Sequence, residues 1–207
     1  MSGQPTGRAG RLALLRRLRT ARAGVDLLER KRRILAGDLA DLDLVTERTG
    51  DAWREAANQA ARWLARSREL DGVERLDACA PAGPARVAVH EQVAMGVRYP
   101  VDATALPPPP DALSGSSALL VTAAAHRTAL AAAARHAAAL RARALVAAEL
   151  EATAGRRRAL ERRWIPRLAE QLHRLELQLD ELEREEAVRR RWHSGPSLRG
   201  SRPPRTR

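Results

Sequence analysis

Residues 14–70 read LLRRLRTARAGVDLLERKRRILAGDLADLDLVTERTGDAWREAANQAARWLARSREL. Within them Leu14, Leu18, Ala21, Val25, Leu28, Arg32, Leu35, Leu39, Leu42, Thr46, Thr49, Trp53, Ala56, Ala60, Trp63, Ser67 and Leu70 recur in steps that alternate four and three residues. Thirteen of these seventeen positions are apolar, and no Pro interrupts the run. A mean period of 3.5 keeps one stripe of a helix turned toward a partner helix along its whole length. At 1.5 Å per residue the run spans roughly 85 Å, more than an ordinary globular core covers. The stretch predicts a coiled-coil helix that bridges distance or carries force. Its polar rungs, Arg32, Thr46, Thr49 and Ser67, mark places where the seam is expected to be locally soft.

Composition agrees with long helices. The 207 residues include no Phe and one Tyr, and Ala, Leu and Arg dominate. Large aromatics supply much of the burial in a thick core, so their scarcity argues against one. Cys79 is the single cysteine and has no internal disulfide partner. The N-terminal residues are polar and basic without an apolar signal core. No stretch of 18 uncharged apolar residues occurs, so no membrane-spanning helix is expected.

The formal charge of +12 is concentrated at the chain ends. Residues 1–25 carry six Arg and residues 187–207 carry seven, with no acid in either segment.

Residues 1–7 read as a flexible leader and 8–72 as the first long helix. Residues 73–112 change character, because Pro81, Pro84, Pro100 and Pro107 to Pro110 forbid continuous helix. Val87, Val89, Val93, Met95, Val97, Tyr99 and Val101 alternate there as in a strand, and Gly96 suits a turn or bulge, which predicts a short β-hairpin. Ser114–Ser117 offer N-cap hydroxyls to a second long helix over 113–188. Its ladder passes through Leu119, Leu130, Leu140, Ala144, Ala147, Ala154, Ile165, Leu168, Leu172, Leu175, Leu179 and Leu182, and Pro166 is expected to kink it. Residues 189–207 read as a basic disordered tail. The predicted fold is mainly α: a long antiparallel two-helix coiled coil with a small β-hairpin-containing insert at the bend. The helix-pair seam is assigned to Leu14, Leu18, Val25, Leu28, Leu35, Leu39, Leu42, Trp53, Trp63 and Leu70 from the first helix. Leu140, Ile165, Leu168, Leu172, Leu175, Leu179 and Leu182 supply the other side. Both basic ends then meet at one tip.

Chemistry-bearing motifs are missing from the sequence. Lys31 follows Arg30 inside a helix, so no phosphate-binding loop exists. His90, His126, His136, His173 and His193 lack the spacing of metal ligands. Glu183, Glu185 and Glu186 beside Arg184 and Arg189 read as ion pairs on a helix face. No catalytic, cofactor-binding or metal residue is assigned, and no small-molecule substrate. Trp53 and Trp63 sit on the ladder as packing residues. A basic tip invites a nucleic-acid reading, but no helix-turn-helix, basic zipper or base-stacking aromatic set supports it.

The segment Pro5-Thr6, Leu14-Leu15, Leu18, Ala21, Gly24, Leu27-Leu28, Lys31-Arg32, Leu35 resembles the N-terminal signature of the D subunit of V/A-type rotary ATPases. Glu91 to Pro100, with Met95-Gly96-Val97, is similar to that family's central hairpin. Arg156-Arg157, Ala159-Leu160-Glu161 and Ile165-Pro166 resemble its C-terminal helix motif. Arg157 and Arg158 depart from the family's usual Val and Asn, and the Pro107–Pro110 run is not a family feature. The resemblance implies a non-catalytic central rotor stalk on the cytoplasmic face of the membrane, without a cofactor. Its paired termini are expected inside a hexamer of alternating A and B subunits, with Arg8, Arg11, Arg16, Lys31, Arg32, Arg189, Arg190 and Arg191 as the docking tip. Val93, Met95, Gly96, Val97, Tyr99 and Pro100 are the implied membrane-side contacts, to the small F subunit and the funnel-shaped subunit on the membrane rotor ring. Proton or sodium translocation lies in the membrane sector. Two other readings stand beside it: a coiled-coil scaffold without a rotary partner, and a basic nucleic-acid-associated helical protein. An F-type gamma chain needs a large α/β domain between its helices, and forty residues at 73–112 are too few.

Overall fold

The computed structural model describes residues 6–79, 83–108 and 116–193. Helix α1 spans Gly7–Asp71 and a short α2 spans Val73–Ala78. Strands β1 (Arg86–Ala94) and β2 (Val97–Leu106) form an antiparallel hairpin. Helix α3 (Ser117–Ala159) passes through a π-helical turn, Leu160–Trp164, into α4 (Ile165–His193). The architecture is therefore mainly α, a long helix pair with a small hairpin between its two arms. Residues 1–5 of the expected leader and most of the tail lie outside the described residues, as do Pro81, Pro109, Pro110 and Ser114, while Gly7, expected in the leader, opens α1. Helix α4 reaches His193, five residues past the sequence-based boundary at 188. Arg is a good helix former, and Glu186–Arg190, 3.6 Å apart one turn on, supports the added turn.

Two compact units divide the chain, Met1–Leu27 with Arg157–Arg207, and Leu28–Arg156. In the first, Leu14, Leu18 and Ala21 of α1 bury against Leu168 and Leu175 of α4, flanked by Ile165, Leu172 and Leu179. Gly24 lies opposite Leu160, where a Cβ would meet its Cδ1 at 3.7 Å. In the second unit, Leu35 of α1 packs with Ala142 and Val146 of α3 and Tyr99 of β2. Small residues on α3 let this third element approach: Ala134 and Ala138 receive Ala103 of the hairpin.

The hairpin leaves the bend and lies back along the helices. Ser116 marks the bend. Its N–H and hydroxyl donate to the Asp71 carboxylate at 3.2 and 2.5 Å, while its Oγ accepts from the Leu119 N–H as an N-cap. Tyr99 nevertheless reaches Leu35, thirty-six residues or about 54 Å up α1 from Asp71. Met95 and Gly96 close the hairpin, both with positive φ (50° and 80°). Such a two-residue turn matches the natural twist of paired strands.

Pro100 has no N–H to give the ladder, and the register shifts beside it: His90 pairs Asp102 but Glu91 pairs Pro100, leaving Val101 unmatched. This bulge breaks the single alternating face read from the sequence. Val87 and Val89 pair Ala105 and Ala103, whereas past the bulge Gln92 and Ala94 pair Tyr99 and Val97. Val93 pairs Arg98 on the opposite face and is 63% exposed.

The π turn similarly corrects the second ladder. Pro166 lacks the N–H that the Arg162 carbonyl would accept, and its ring crowds that carbonyl. A widened turn inserts one residue there. Extended back from Ile165 without the insertion, the ladder selects Leu140, Ala144, Ala147 and Ala154. With it, the buried positions fall on Ala139, Ala142, Val146 and Thr153, and Leu140 turns outward at 47% exposure.

The polar rungs differ in their fates. Ser67 is fully buried and bonded to Thr122 at 2.7 Å, whose own hydroxyl also reaches the Trp63 and Ala118 carbonyls at 2.9 Å. It ties the helices together. The Thr46 hydroxyl, by contrast, is buried with no partner among the described residues.

By length and composition alone, the continuous helix over Ser117–His193 holds a window apolar enough to cross a bilayer, with mean hydropathy 1.2. Ala118, Leu119 and Ala134 of its N-terminal part are buried, while Leu120 and Val121 are exposed.

Gly50 faces His136, whose ring stacks on Trp53 (centroids 5.6 Å apart, 17° between planes) and bonds through Nδ1 to Thr49 Oγ1 at 3.2 Å. A Cβ at Gly50 would sit 3.1 Å from His136 Cε1, whereas one at exposed Gly37 meets nothing within 4 Å. Gly37→Ala is therefore expected to stabilise by about 1 kcal/mol, the ordinary helix-interior gain. Gly50→Ala is expected to forfeit that gain by displacing a ring held on two sides. Paired thermal melts check this, and equal gains at both positions would contradict it.

Candidate functional site

The seam assigned from sequence divides into buried and open positions. Leu14, Leu18, Leu35, Leu168 and Leu175 are buried, and Leu39, Leu42, Ile165, Leu172 and Leu179 pack partly buried against them. Val25, Leu28 and Trp63 are half-buried. Trp53, Leu70 and Leu182 are 40%, 66% and 55% exposed. Trp53 keeps an inter-helix role through His136, and Trp63 carries the Arg66 guanidinium over its ring at 5.1 Å.

The residues expected at the docking tip fall into different settings. Arg8 and Arg11 reach across to Glu183 and Glu176 at 2.9 and 2.8 Å. The acidic run of α4, expected to pair along its own helix, thus offsets part of the basic start of α1. These pairs are exposed and worth about 0–1 kcal/mol each, so they fix alignment more than stability. Arg16, Arg189 and Arg191 are exposed, and Arg190 pairs with Glu186. Lys31 and Arg32 belong to the second unit. Arg32 is clasped by Glu29 through two donors at 2.9 and 2.8 Å.

Lys31 makes the better-protected contact. Its Nζ donates to Glu149 Oε1 at 2.7 Å, with both side chains about a quarter exposed (26% and 23%). Arg156 and Thr153 converge on the same oxygen at 3.2 and 3.4 Å. The Lys31 hydrogen bond first, with Arg156 adding to it, holds the Glu149 carboxyl below the usual carboxylate range despite its partial desolvation. Sequence reasoning missed this cluster because Lys31 and Glu149 stand 118 residues apart. Because the folded-state pKa is depressed, the stabilisation is complete above the free-Glu value of about 4.3. It is lost as pH falls through the lower folded-state value. Glu149→Gln should thus melt below the wild type at neutral pH, with the gap closing in acid. A gap independent of pH would contradict this.

The hairpin residues also part company. Val93 and Met95 are 63% and 44% exposed, and Gly96 is exposed at the turn. Val97 is half-buried, while Tyr99 and Pro100 are buried, and Gln92 Nε2 donates to the Tyr99 hydroxyl at 2.6 Å. The hairpin thus presents an apolar turn outward, next to the buried pair Tyr99 and Pro100. Among the described residues, no three His, Cys, Asp or Glu side chains gather as a metal would require.

A sequence model of the ATP synthase D-subunit family matches residues 11–194. The D subunit of a V-type ATP synthase from Anaeromyxobacter sp. (strain Fw109-5) is 30% identical over 201 residues, covering 91% of this chain and 92% of that protein. The match runs through both long helices, the hairpin and the π turn between α3 and α4. With this span and this helix–hairpin–helix order, the chain belongs to the ATP synthase D-subunit family.

Proposed function

We propose that this chain is the central rotor axle of a V/A-type rotary ATPase or ATP synthase. It is a non-catalytic, peripheral component on the cytoplasmic face of the membrane, and transmits torque between nucleotide turnover in a hexamer of A and B subunits and proton or sodium translocation. The observation that carries this reading is the pairing of the two chain ends: α1 and α4 share one apolar seam, with Arg8 against Glu183. Two strands joined this way make a narrow element suited to a bore, and their different sequences present different faces to chemically similar sockets. Each face then favours one socket conformation by its differential contacts. At the hairpin, Val93 and Met95 are suited to the small F subunit or the funnel-shaped subunit of the membrane rotor ring.

Co-purification with A and B subunits tests the reading. One copy of this chain per hexamer is the expected stoichiometry. A chain that stays alone, or forms only a symmetric homodimer, would support the scaffold alternative instead.

A further inference from the structure

In the first unit, cationic side chains without partners concentrate at one level of the helix pair. Arg11 lies opposite Glu176 and Gly24 opposite Leu160, so the antiparallel register places Arg16–Arg22 beside residues 162–170. On α1, Arg16, Arg17, Arg19 and Arg22 are exposed within about 9 Å of helix rise. On α4 and the π turn before it, Arg162, Arg163 and Arg167 are exposed at the same level. None of these seven has an ion-pair or hydrogen-bond partner among the described residues. Acids on the facing strand are engaged elsewhere: Glu161 with Arg157, Glu170 with Arg174 and Glu176 with Arg11. At 100° per residue, the four α1 guanidiniums spread through about 220° of the helix circumference, all round the side away from the seam. Trp164, 55% exposed, lies among them at the π turn.

We propose that these seven arginines and the Trp164 indole form a collar that seats in a sleeve of partner-protein carboxylates, with Trp164 as its apolar anchor. The identity of the sleeve, the A and B subunits, rests on the functional reading above. Like charges packed this closely repel and hold a strong local field, which opposite charge on a partner relieves. Arg and Trp are also the side chains that concentrate at the energetic centres of interfaces. The spread around the helix pair decides the partner class. A nucleic-acid duplex engages one face, whereas a socket of several subunits surrounds the pair.

The test measures association of the full chain with A and B subunits at low and high salt. Arg162→Glu, Arg163→Glu and Arg167→Glu are combined in one variant. Arg48→Glu, Arg62→Glu and Arg68→Glu, exposed in the other unit, give an equal-charge control. The collar variant is expected to associate about 10- to 100-fold more slowly at low salt, with a flattened salt dependence, and the control within about twofold of wild type. A Gln version of the collar variant, with helix content verified, keeps the comparison valid if the reversal perturbs folding. Trp164→Ala should speed dissociation about tenfold or more. Wild-type binding with equal rates for collar variant and control would overturn the collar while leaving the axle reading intact. Failure of the wild-type chain to bind A and B, or its preferential capture by duplex DNA, would overturn both.

Discussion

Replacing Leu35 with Ala is expected to cost about 3 kcal/mol, within the usual range for a buried Leu truncation. Leu35 is 1% exposed, and its neighbours are Tyr99 of β2 and Ala142 and Val146 of α3. Two of the cluster's four buried members cannot fill the space. Ala142 has no atoms beyond Cβ to move, and Val146 is β-branched and stiff. The cavity should therefore stay largely open, and the loss should exceed simple transfer of the missing atoms. The turn end of the hairpin shares this cluster through Ala94, Val97 and Tyr99, so amide protection across Arg86–Leu106 should fall with global stability. Denaturant unfolding with hydrogen exchange reads both. A loss under about 1 kcal/mol with unchanged hairpin protection would mean that Leu35 does not hold this junction.

The second large effect concerns binding. Combining Val93→Asp with Met95→Asp is expected to weaken attachment of the proposed membrane-side partner by about 100-fold, the scale of a lost interface anchor, with the melting temperature nearly unchanged. The two side chains are 63% and 44% exposed, so the folded chain alone loses little by their replacement. Tyr99→Ala should behave oppositely. Its ring is buried against Leu35 and Val146 and its hydroxyl accepts from Gln92, so stability falls first. Unaltered partner affinity in the double variant would place the contact elsewhere on the chain.

These contrasts also show what was legible in the sequence. The α1 ladder was readable because apolar side chains at period 3.5 impose one helical stripe, and Leu14, Leu18 and Leu35 lie buried on it. The hairpin was readable from alternating valines, but its faces were not. Pro100 displaces the register by one residue, and a one-residue slip exchanges the faces of a strand. Pro166 signalled a disturbance, yet only the structure shows a π turn that shifts the upstream seam from Leu140 to Ala139, Ala142 and Val146. Hairpin fold-back onto Leu35 and the Lys31–Glu149 contact are tertiary events with no local signal. The basic ends were visible as charge, but their partial offset by Glu176 and Glu183 depended on helix register.

The proposed torque transmission is tested most directly by fixing an assembled A/B hexamer to a surface and attaching a probe to the bend of this chain, beside Asp71 and Ser116. On addition of ATP, the axle account predicts one-way rotation of the probe, with three preferred dwell positions per turn, one for each A–B pair. ATP hydrolysis by the complex while the probe only fluctuates about one angle would contradict it.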